Sequence, residues 1–377
     1  MSSGQLISLT KSKVWFSPST PRSTKEQIKG ILGLPTTDRI GTYLGTPVFT
    51  TRRTASSYQY LVETISKRIE GWQTKYLSMA GRATLIKASI TSIPTYAMQT
   101  TLLPQKICHQ IDKFSRNFLW GGSEQHRGCH TVSCSTVTLP KAAGGLGIPS
   151  TRHRNQAILM NQAWRLYSNP SSLWAQVLKA KYFPQANLFT SPRTPRGSHI
   201  WTAISIGVNL LRGGMRWYIG DGQTIRIWQD PWLPNGTLHD YIEGPLLPQE
   251  DDRRVRELWS HHEWALESLN HSLPPQIHSL IQGIPVPRFA QLSDAYLWPH
   301  NRGTCSVKSA TQFLYQQLQV PWNKAMWNWL WSLPCPKKIQ IFLWKAFRDR
   351  LPTKSFLTHR RQHTLHILRD CPWAREI

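Results

Sequence analysis

The chain has 377 residues, of which 40% are hydrophobic, so it is long enough and apolar enough for two or three folded domains. It carries 45 Lys+Arg against 20 Asp+Glu, a formal net charge of +25, which indicates a polyanionic partner, nucleic acid before an anionic membrane. The sequence lacks the apolar run of a signal peptide or a membrane span, and its six scattered cysteines are not typical of a disulfide framework. We therefore expect an intracellular protein with no membrane partner.

Helical patterns begin after residues 1–50, which proline and glycine interrupt. Over residues 56–72 apolar side chains recur every three or four positions, which predicts a helix with one buried face: Tyr58, Leu61, Val62, Ile65, Ile69 and Trp72. Residues 77–94 predict a second helix, with Ser78 as N-cap and Pro94 at its end. The third predicted helix ends at Gly121–Gly122 and has one apolar face: Ile107, Ile111, Phe114 and Phe118. Residues 51–122 are therefore predicted to form a helical module.

Residues beyond this module mix helical and strand patterns. Residues 140–150 predict a glycine-rich loop, residues 155–167 and 171–183 two helices, and residues 185–200 a long connection. A turn at Asp221–Gly222 precedes a predicted strand in which Ile225 and Ile227 alternate with polar neighbours. Residues 294–309 predict a strand–turn–strand unit that turns at residues 300–303 and leads into a helix over residues 310–318. The sequence thus predicts an α+β, mainly helical fold.

Acidic residues are absent from residues 125–220. The same span contains eleven basic residues: Arg127, Lys141, Arg152, Arg154, Arg165, Lys179, Lys181, Arg193, Arg196, Arg212 and Arg216. These cations have no opposite charge in their own segment, so they either contact a phosphate backbone or form a solubilising surface. Trp164, Trp174 and Tyr182 lie among them, either as core residues or as platforms on which bases stack.

Several segments, taken in order, carry a family resemblance: GTYLGTPV, EGWQTKYLSMAGRATLIKASITSIPTYAMQ, FLWGG, PKAAGGLGI, WAQVLKAKY and GMRWYIGDGQTIRIWQDPWLP. This series resembles the region downstream of the catalytic palm in plant non-LTR (LINE-type) retrotransposon reverse transcriptases. The later segments CSVKSA, WNWLWSLPCPKKIQIFLWKAFRDRLPT and LHILRDCPWA resemble the reverse-transcriptase zinc-binding domain that follows. The resemblance spans nearly the whole chain.

The resemblance implies a division into five regions. Residues 1–50 would be the residual end of the palm region, and residues 51–122 a thumb-like helical module. Residues 123–220 would form a basic connecting region and residues 221–320 a mixed α/β region. Residues 321–377 would be a small, incomplete zinc-binding-type domain.

Polymerisation in this family needs two metal-binding aspartates in a Tyr/Phe-x-Asp-Asp turn. The Asp251–Asp252 pair follows Gln249–Glu250 instead of an aromatic strand end, and SGQLISLTKSKVWFS resembles the text just after that turn. We therefore expect a truncated chain that lacks the palm, and we also expect no endonuclease or ribonuclease H domain. No catalytic residues and no catalytic magnesium site are predicted.

The zinc domain of the family supplies a C-x2-C pair followed by H-x4-C. His366 and Cys371 match the second pair, but no C-x2-C precedes them, so the resemblance implies half of a zinc site. One alternative gathers His359 and His363 with these two residues around one metal. A second possible cluster lies far upstream, where a strand with incidental cysteines is the other interpretation: His126, Cys129, His130 and Cys134.

Twelve basic residues are predicted to contact nucleic acid. The thumb-like module contributes three, with a solvated helix face as the alternative: Lys75, Arg82 and Lys87. The connecting region contributes five: Arg152, Arg154, Arg165, Lys179 and Lys181. The zinc-type region contributes four: Lys337, Lys338, Lys345 and Arg348.

These features favour a fragment of a retroelement RNA-directed DNA polymerase that retains sequence-independent binding to RNA or DNA backbones. Other retroelement proteins are further expected partners, and a functional chain would work in the nucleus. One alternative is a subunit of a split reverse transcriptase that works with a separately encoded palm. Another is a nucleic-acid-binding protein recruited by the host, and a third is a poorly folding product of a dead element.

Overall fold

The computed structural model of the chain describes residues 8–38, 41–43, 46–47, 54–72, 76–122, 129–184, 187–189, 197–234, 236–242, 244–260, 263–286, 293–300, 303–318 and 324–351. The chain divides into two compact units. The first comprises Met1–Ala97 and Leu103–His130, and the second comprises Met98–Leu102 and Thr131–Ile377. Within the described ranges, no helix combines the length and the apolar character needed to cross a membrane.

Helices dominate the described residues, which confirms the prediction of a mainly helical α+β fold. The α-helices are α1 (Arg22–Leu32), α2 (Gln59–Glu70), α3 (Met79–Leu85), α4 (Thr95–Met98), α5 (Gln105–Leu119), α6 (Cys134–Thr138), α7 (Thr151–Ser168), α8 (Leu173–Tyr182), α9 (His199–Arg212), α10 (Pro275–Gln282), α11 (Val307–Gln316), α12 (Lys324–Ser332) and α13 (Lys337–Phe347). The strands are β1 (Thr42–Tyr43), β2 (Thr46–Pro47), β3 (Arg216–Tyr218), β4 (Trp259–Ser260), β5 (Glu263–Trp264) and β6 (Ala295–Leu297). They form three two-stranded antiparallel ladders, β1–β2, β3–β6 and β4–β5.

The first unit is built on the packing of α2 against α5. The predicted apolar face of α2 is largely confirmed, since Leu61, Val62 and Ile65 are buried while Ile69 and Trp72 are partly exposed. Helix α5 ends as predicted, because Gly121 takes a left-handed conformation (φ 73°). These two helices therefore follow from periodicity and end signals alone.

The second predicted helix is correct at its start and wrong at its end. The Ser78 hydroxyl accepts a hydrogen bond from the Gly81 N–H at 3.2 Å, as expected of an N-cap. The regular α-helix stops at Leu85, however, and continues as a π-helical segment over Ile86–Ile90. The helical run therefore ends before Pro94 is reached.

The second unit contains two apolar cores. The first lies among α7, α9 and α11, where Met160, Leu211 and Trp298 are fully or almost fully buried. Trp164 is buried in this core, and Trp174 and Tyr182 are partly buried against it. The core interpretation of these three aromatic residues is thus confirmed.

The second core gathers around Ile225, Ile227 and Trp228, all of which are fully buried. The predicted strand at this point is wrong, because Arg226 makes only an isolated bridge with Arg254, although burial does alternate along the segment. This core is held by turns and 3-10 helices and contains little sheet.

The predicted local strand–turn–strand unit at residues 294–309 is also wrong. Trp298 bridges Gly303, as the predicted turn requires, but β6 pairs with the distant strand β3. Trp217 lies opposite Tyr296 in this ladder, with ring centroids 3.9 Å apart. Helix α11 then begins at Val307, with the Ser306 hydroxyl accepting from the Ser309 N–H at 3.1 Å.

The predicted glycine-rich loop at residues 140–150 is confirmed, and it supports the last two described helices. The Trp344 indole N–H donates to the Gly144 carbonyl at 2.8 Å, and the Trp331 indole N–H donates to the Lys141 carbonyl at 3.2 Å. Gly144 is left-handed (φ 81°), which turns the loop under α12 and α13. These contacts place Lys141 beside the start of α13.

Candidate nucleic-acid interface

The start of α13 carries a cluster of three exposed cations: Lys141, Lys337 and Lys338. Lys337 and Lys338 are the first two residues of the helix, whose first turn contains no acidic residue. Cations are disfavoured at a helix N-terminus, where the dipole and the free N–H groups attract anions. This arrangement therefore raises the positive potential at one point of the surface. We call these three residues the α13 lysine cluster.

Lys141 shows that the cluster holds like charges close together. Burial first, and the neighbouring Lys337 second, lower the pKa of Lys141. The Lys141 Nζ lies 4.9 Å from the centre of the Trp331 ring, so a cation–π contact stabilises part of its charge. Among the described residues, no carboxylate lies within ion-pair distance of any of the three lysines. A bound anion would relieve their mutual repulsion.

Helix α8 presents a second pair of exposed cations, Lys179 and Lys181. Its other side packs on the core through Ala175 and Leu178, so the lysines necessarily face solvent. Trp201 covers one face of the neighbouring Tyr182 ring, at a centroid distance of 4.6 Å.

The predicted basic residues of α7 differ from one another in exposure. Arg165 is exposed, and its Nη1 lies 3.5 Å from the Gln162 Oε1. Arg152 and Arg154 are only partly exposed, and burial lowers the pKa of Arg154. Of the three, Arg165 is the most accessible to a ligand.

Arg348 and Lys345 lie at the other end of α13 from the lysine cluster. The Arg348 guanidinium donates to the Gly144 carbonyl and lies over the rings of Trp327 (4.9 Å) and Trp344 (5.8 Å). Burial lowers the pKa of Arg348, and Lys345 is also partly buried. This geometry gives Arg348 a structural role between the glycine loop and α13.

Two of the three predicted cations of the first unit are partly buried. Arg82 lies on α3 with its guanidinium against Gly121, and burial lowers its pKa. Lys87 lies on the π-helical segment and is half-buried. Lys75 lies outside the described residues.

Ion pairs between other described residues include Lys29–Glu26, Arg226–Asp252, Arg253–Glu250 and Arg253–Glu257. A second run without acidic residues, which the sequence analysis missed, extends over residues 295–348 and includes all of α12 and α13. The absence of any acidic residue between Asp294 and Asp349 identifies this run from the sequence alone.

The candidate zinc ligands His366 and Cys371 lie outside the described residues, as do His359, His363 and His126. Within the described part of the chain, no three His, Cys, Asp or Glu side chains come together as a metal site would require.

The Asp251–Asp252 pair lies on an exposed turn. The Asp252 carboxylate is 3.6 Å from the Arg226 guanidinium, and Asp251 accepts from the Gln229 amide at 2.7 Å. Each carboxylate therefore contacts a different neighbour on the protein surface.

Comparisons with known proteins give three relatives, and no protein-family model matches the chain. The chain is 30% identical over 357 residues to the ribonuclease H-like protein At1g65750 of Arabidopsis thaliana, which covers 88% of this chain and 57% of that protein. It is 30% identical over 147 residues to the uncharacterized mitochondrial protein AtMg00310 of Arabidopsis thaliana, covering 39% of this chain and 96% of that protein. It is 29% identical over 131 residues to the uncharacterized 149 kDa protein of transposon TX1 from Xenopus laevis, covering 34% and 10%. The chain thus spans little more than half the length of the first of these relatives.

Proposed function

We propose that this chain binds RNA or DNA through backbone phosphates without reading the base sequence. The premise is that the chain belongs to the family of the mitochondrial protein AtMg00310 and is a retrotransposon-related sequence. The α13 lysine cluster carries this proposal. Three exposed cations and a helix N-terminus converge there without a carboxylate partner among the described residues. Phosphate oxygens satisfy both the charges and the free N–H groups of a helix start.

The resemblance to reverse transcriptases connects this proposed binding with the copying of a retroelement. We propose that residues 51–122 correspond to the thumb and residues 321–377 to the zinc-binding domain, as the resemblance implies. His366 and Cys371 then belong to an incomplete zinc site, for which we expect well under one zinc ion per purified chain. The chain's role in copying would be to hold the nucleic acid.

The test removes two cations from the α13 lysine cluster by the substitutions Lys337→Gln and Lys338→Gln. Binding to short single-stranded oligonucleotides is followed by fluorescence anisotropy between about 50 and 200 mM salt. The slope of log K against log salt is negative, and each lost phosphate contact reduces its steepness by about 0.7 for a single strand. We expect the double variant to lose about 1.4 from this slope and to bind about tenfold more weakly at physiological salt.

The matched control is the double variant Lys29→Gln/Arg226→Gln. Both residues are ion-paired, and their side chains are 38% and 44% exposed. This control lowers the net charge by the same amount but leaves the α13 lysine cluster intact. An equal loss in the two double variants would show that total charge, not this surface, determines binding. Binding that does not change with salt would refute the proposal altogether.

A further inference from the structure

A cleft of about 1010 Å³ opens beside the β3–β6 ladder in the second unit. Its walls are mainly aromatic, aliphatic and proline side chains. The lining also contains two nitrogen-bearing polar side chains, Arg216 and His300, and no acidic residue. None of the twelve residues singled out from the sequence as nucleic-acid contacts lies in it, although Arg216 belongs to the acid-free stretch over residues 125–220. The chemistry of the lining favours a flat, partly apolar ligand that carries negative charge.

Tyr218 provides a flat surface in this cleft. It is 43% exposed, and among the described residues its ring makes no contact with another ring. Its partner across the ladder is Ala295, whose methyl group is too small to cover a phenol ring. A large exposed aromatic ring with this geometry can stack on a planar heterocycle.

Arg216 lies two positions before Tyr218 on β3, so the two side chains project from the same side of the strand. The Arg216 Nε donates to the Pro234 carbonyl at 3.1 Å and its Nη1 donates to the Met215 carbonyl at 2.8 Å. These carbonyls orient the guanidinium without neutralising it, and no described carboxylate lies within ion-pair distance of it. The guanidinium can therefore take a phosphate.

His300 adds a polar group that is neutral at neutral pH. Burial first, and the charge of Arg216 second, lower the pKa of His300. The ring is packed near Trp298 (5.2 Å) and Phe313 (5.9 Å). A neutral imidazole has one N–H donor and one acceptor nitrogen, which suits the edge of a base.

We propose that this cleft binds one unpaired nucleobase of a single strand, stacked on Tyr218, with the adjacent phosphate on Arg216. The inference rests on the proposed backbone binding and adds to it a site that distinguishes single strands from duplexes. A proline-rich peptide also suits aromatic clefts. The unneutralised Arg216 in a chain of net charge +25 favours the polyanion.

The experiment compares an intact single strand with one of the same phosphate count whose central nucleotides are abasic, in DNA and RNA arms. Stacking on one aromatic ring strengthens binding by about 5- to 150-fold per base. We expect the wild type to prefer the intact strand by a factor in this range, and Tyr218→Ala to lose that preference while keeping its affinity for the abasic strand. Tyr218→Phe should keep the preference, because the ring is retained.

The matched control is Tyr96→Ala in the first unit, where the tyrosine is 44% exposed. This variant should prefer the intact strand as the wild type does. Equal binding of intact and abasic strands by the wild type would overturn the cleft proposal and leave backbone binding standing. Loss of the preference in Tyr96→Ala but not in Tyr218→Ala would also overturn it.

If the proposed backbone binding is wrong, neither the intact nor the abasic strand will bind. The cleft is then tested with a nucleoside monophosphate by saturation-transfer NMR. A signal from the wild type that is absent in Tyr218→Ala would support the cleft. Either no signal, or a signal that a proline-rich peptide gives and the nucleotide does not, would refute it.

Discussion

Asp294 organises the turn that precedes the second apolar core. Its carboxylate accepts four hydrogen bonds, from the N–H groups of Gly220 (2.8 Å), Gly222 (2.9 Å) and Thr224 (2.9 Å) and from the Thr224 hydroxyl (2.8 Å). Burial alone would raise the pKa of Asp294, but the hydrogen bonds from Thr224, Gly220 and Gly222 together lower it. The ionised carboxylate therefore stabilises the folded chain.

We predict that Asp294→Asn destabilises the second unit by about 1–3 kcal/mol at neutral pH, because the amide places N–H donors against the donors of the turn. The folded-state pKa of Asp294 lies below the usual value of about 3.9, which applies to the unfolded chain. The contribution of Asp294 to the free energy of unfolding is therefore fully present above about pH 3.9, and it is lost as the pH falls through the folded-state pKa. The difference between variant and wild type in urea unfolding should therefore shrink in strong acid.

Asp240→Asn serves as the control for this effect. The Asp240 carboxylate lies on the exposed surface, where it accepts from the N–H and the hydroxyl of Thr237, both at 2.8 Å. A smaller loss of stability is expected there, because water replaces these bonds readily. Equal losses in the two variants would contradict the special role of Asp294.

The fate of each basic residue was only partly predictable from the sequence. The runs without acidic residues indicate segments rich in unneutralised local charge, and Lys179, Lys181 and Lys338 are indeed exposed. Burial was not predictable, because the contacts of Arg348 with Gly144 join residues distant in the chain. The approach of Lys141 to Lys337 was missed for the same reason. Side chains of one type and one local pattern thus acquire different roles through non-local packing.

At the scale of elements, α9 packs extensively against α7 within the second unit. A Cβ added at Gly207 would lie 2.3 Å from the carbonyl oxygen of Leu159, so the glycine permits backbone contact between the helices. Gly207→Ala should destabilise the second unit by about 1–3 kcal/mol, because backbone cannot move aside as a flexible side chain can. Urea unfolding would measure this loss.

Gly213→Ala is the matched control at the end of the same helix. A Cβ there would meet nothing closer than the Leu210 carbonyl oxygen at 3.6 Å, and its φ is −62°. This substitution should be neutral or stabilising by about 0.4–1 kcal/mol. A destabilisation as large as that of Gly207→Ala would show that helix contact is not the cause.

Helices with regular apolar spacing were predictable from the sequence, and elements that depend on distant partners were not. Helices α2, α5, α7, α8 and α11 follow from periodicity and end signals. Helix α1 was missed because Pro21 and Gly33 were interpreted only as interruptions, although they flank the helix as its N-cap and C-cap residues. Helix α9 was missed even though the Ser198 hydroxyl caps it, accepting from the Trp201 N–H at 3.3 Å.

Strand predictions failed because partners in a ladder are chosen by the whole fold. Strand β3 has three residues and pairs with β6 across a long stretch of chain, so its local sequence contains no turn that identifies its partner. Burial at Ile225 and Ile227 alternates as in a strand although no ladder forms. Alternation thus predicts which side chains are inside and does not by itself predict sheet pairing.

At the scale of the whole molecule, the excess of positive charge lowers the stability of the folded state unless a polyanion neutralises it. The described ion pairs, together with 45 basic and 20 acidic residues in the chain, leave most cations without opposite charges. The unfolded chain carries the same net charge, so net charge alone does not make a polyanion bind the folded state more tightly than the unfolded state. A preference requires that folding gathers cations, as it does in the α13 lysine cluster.

We therefore predict that a short single-stranded oligonucleotide raises the Tm of the protein at low salt, since a ligand that binds the folded state more tightly than the unfolded state stabilises it. At 100-fold excess over Kd the stabilisation would be about 2.7 kcal/mol, and it should disappear in high salt as phosphate contacts weaken. Differential scanning calorimetry measures the shift, and Lys337→Gln/Lys338→Gln should reduce it more than Lys29→Gln/Arg226→Gln. A fall in Tm on adding the oligonucleotide would mean that the unfolded chain binds it better, and the basic surface would then have no folded arrangement suited to nucleic acid.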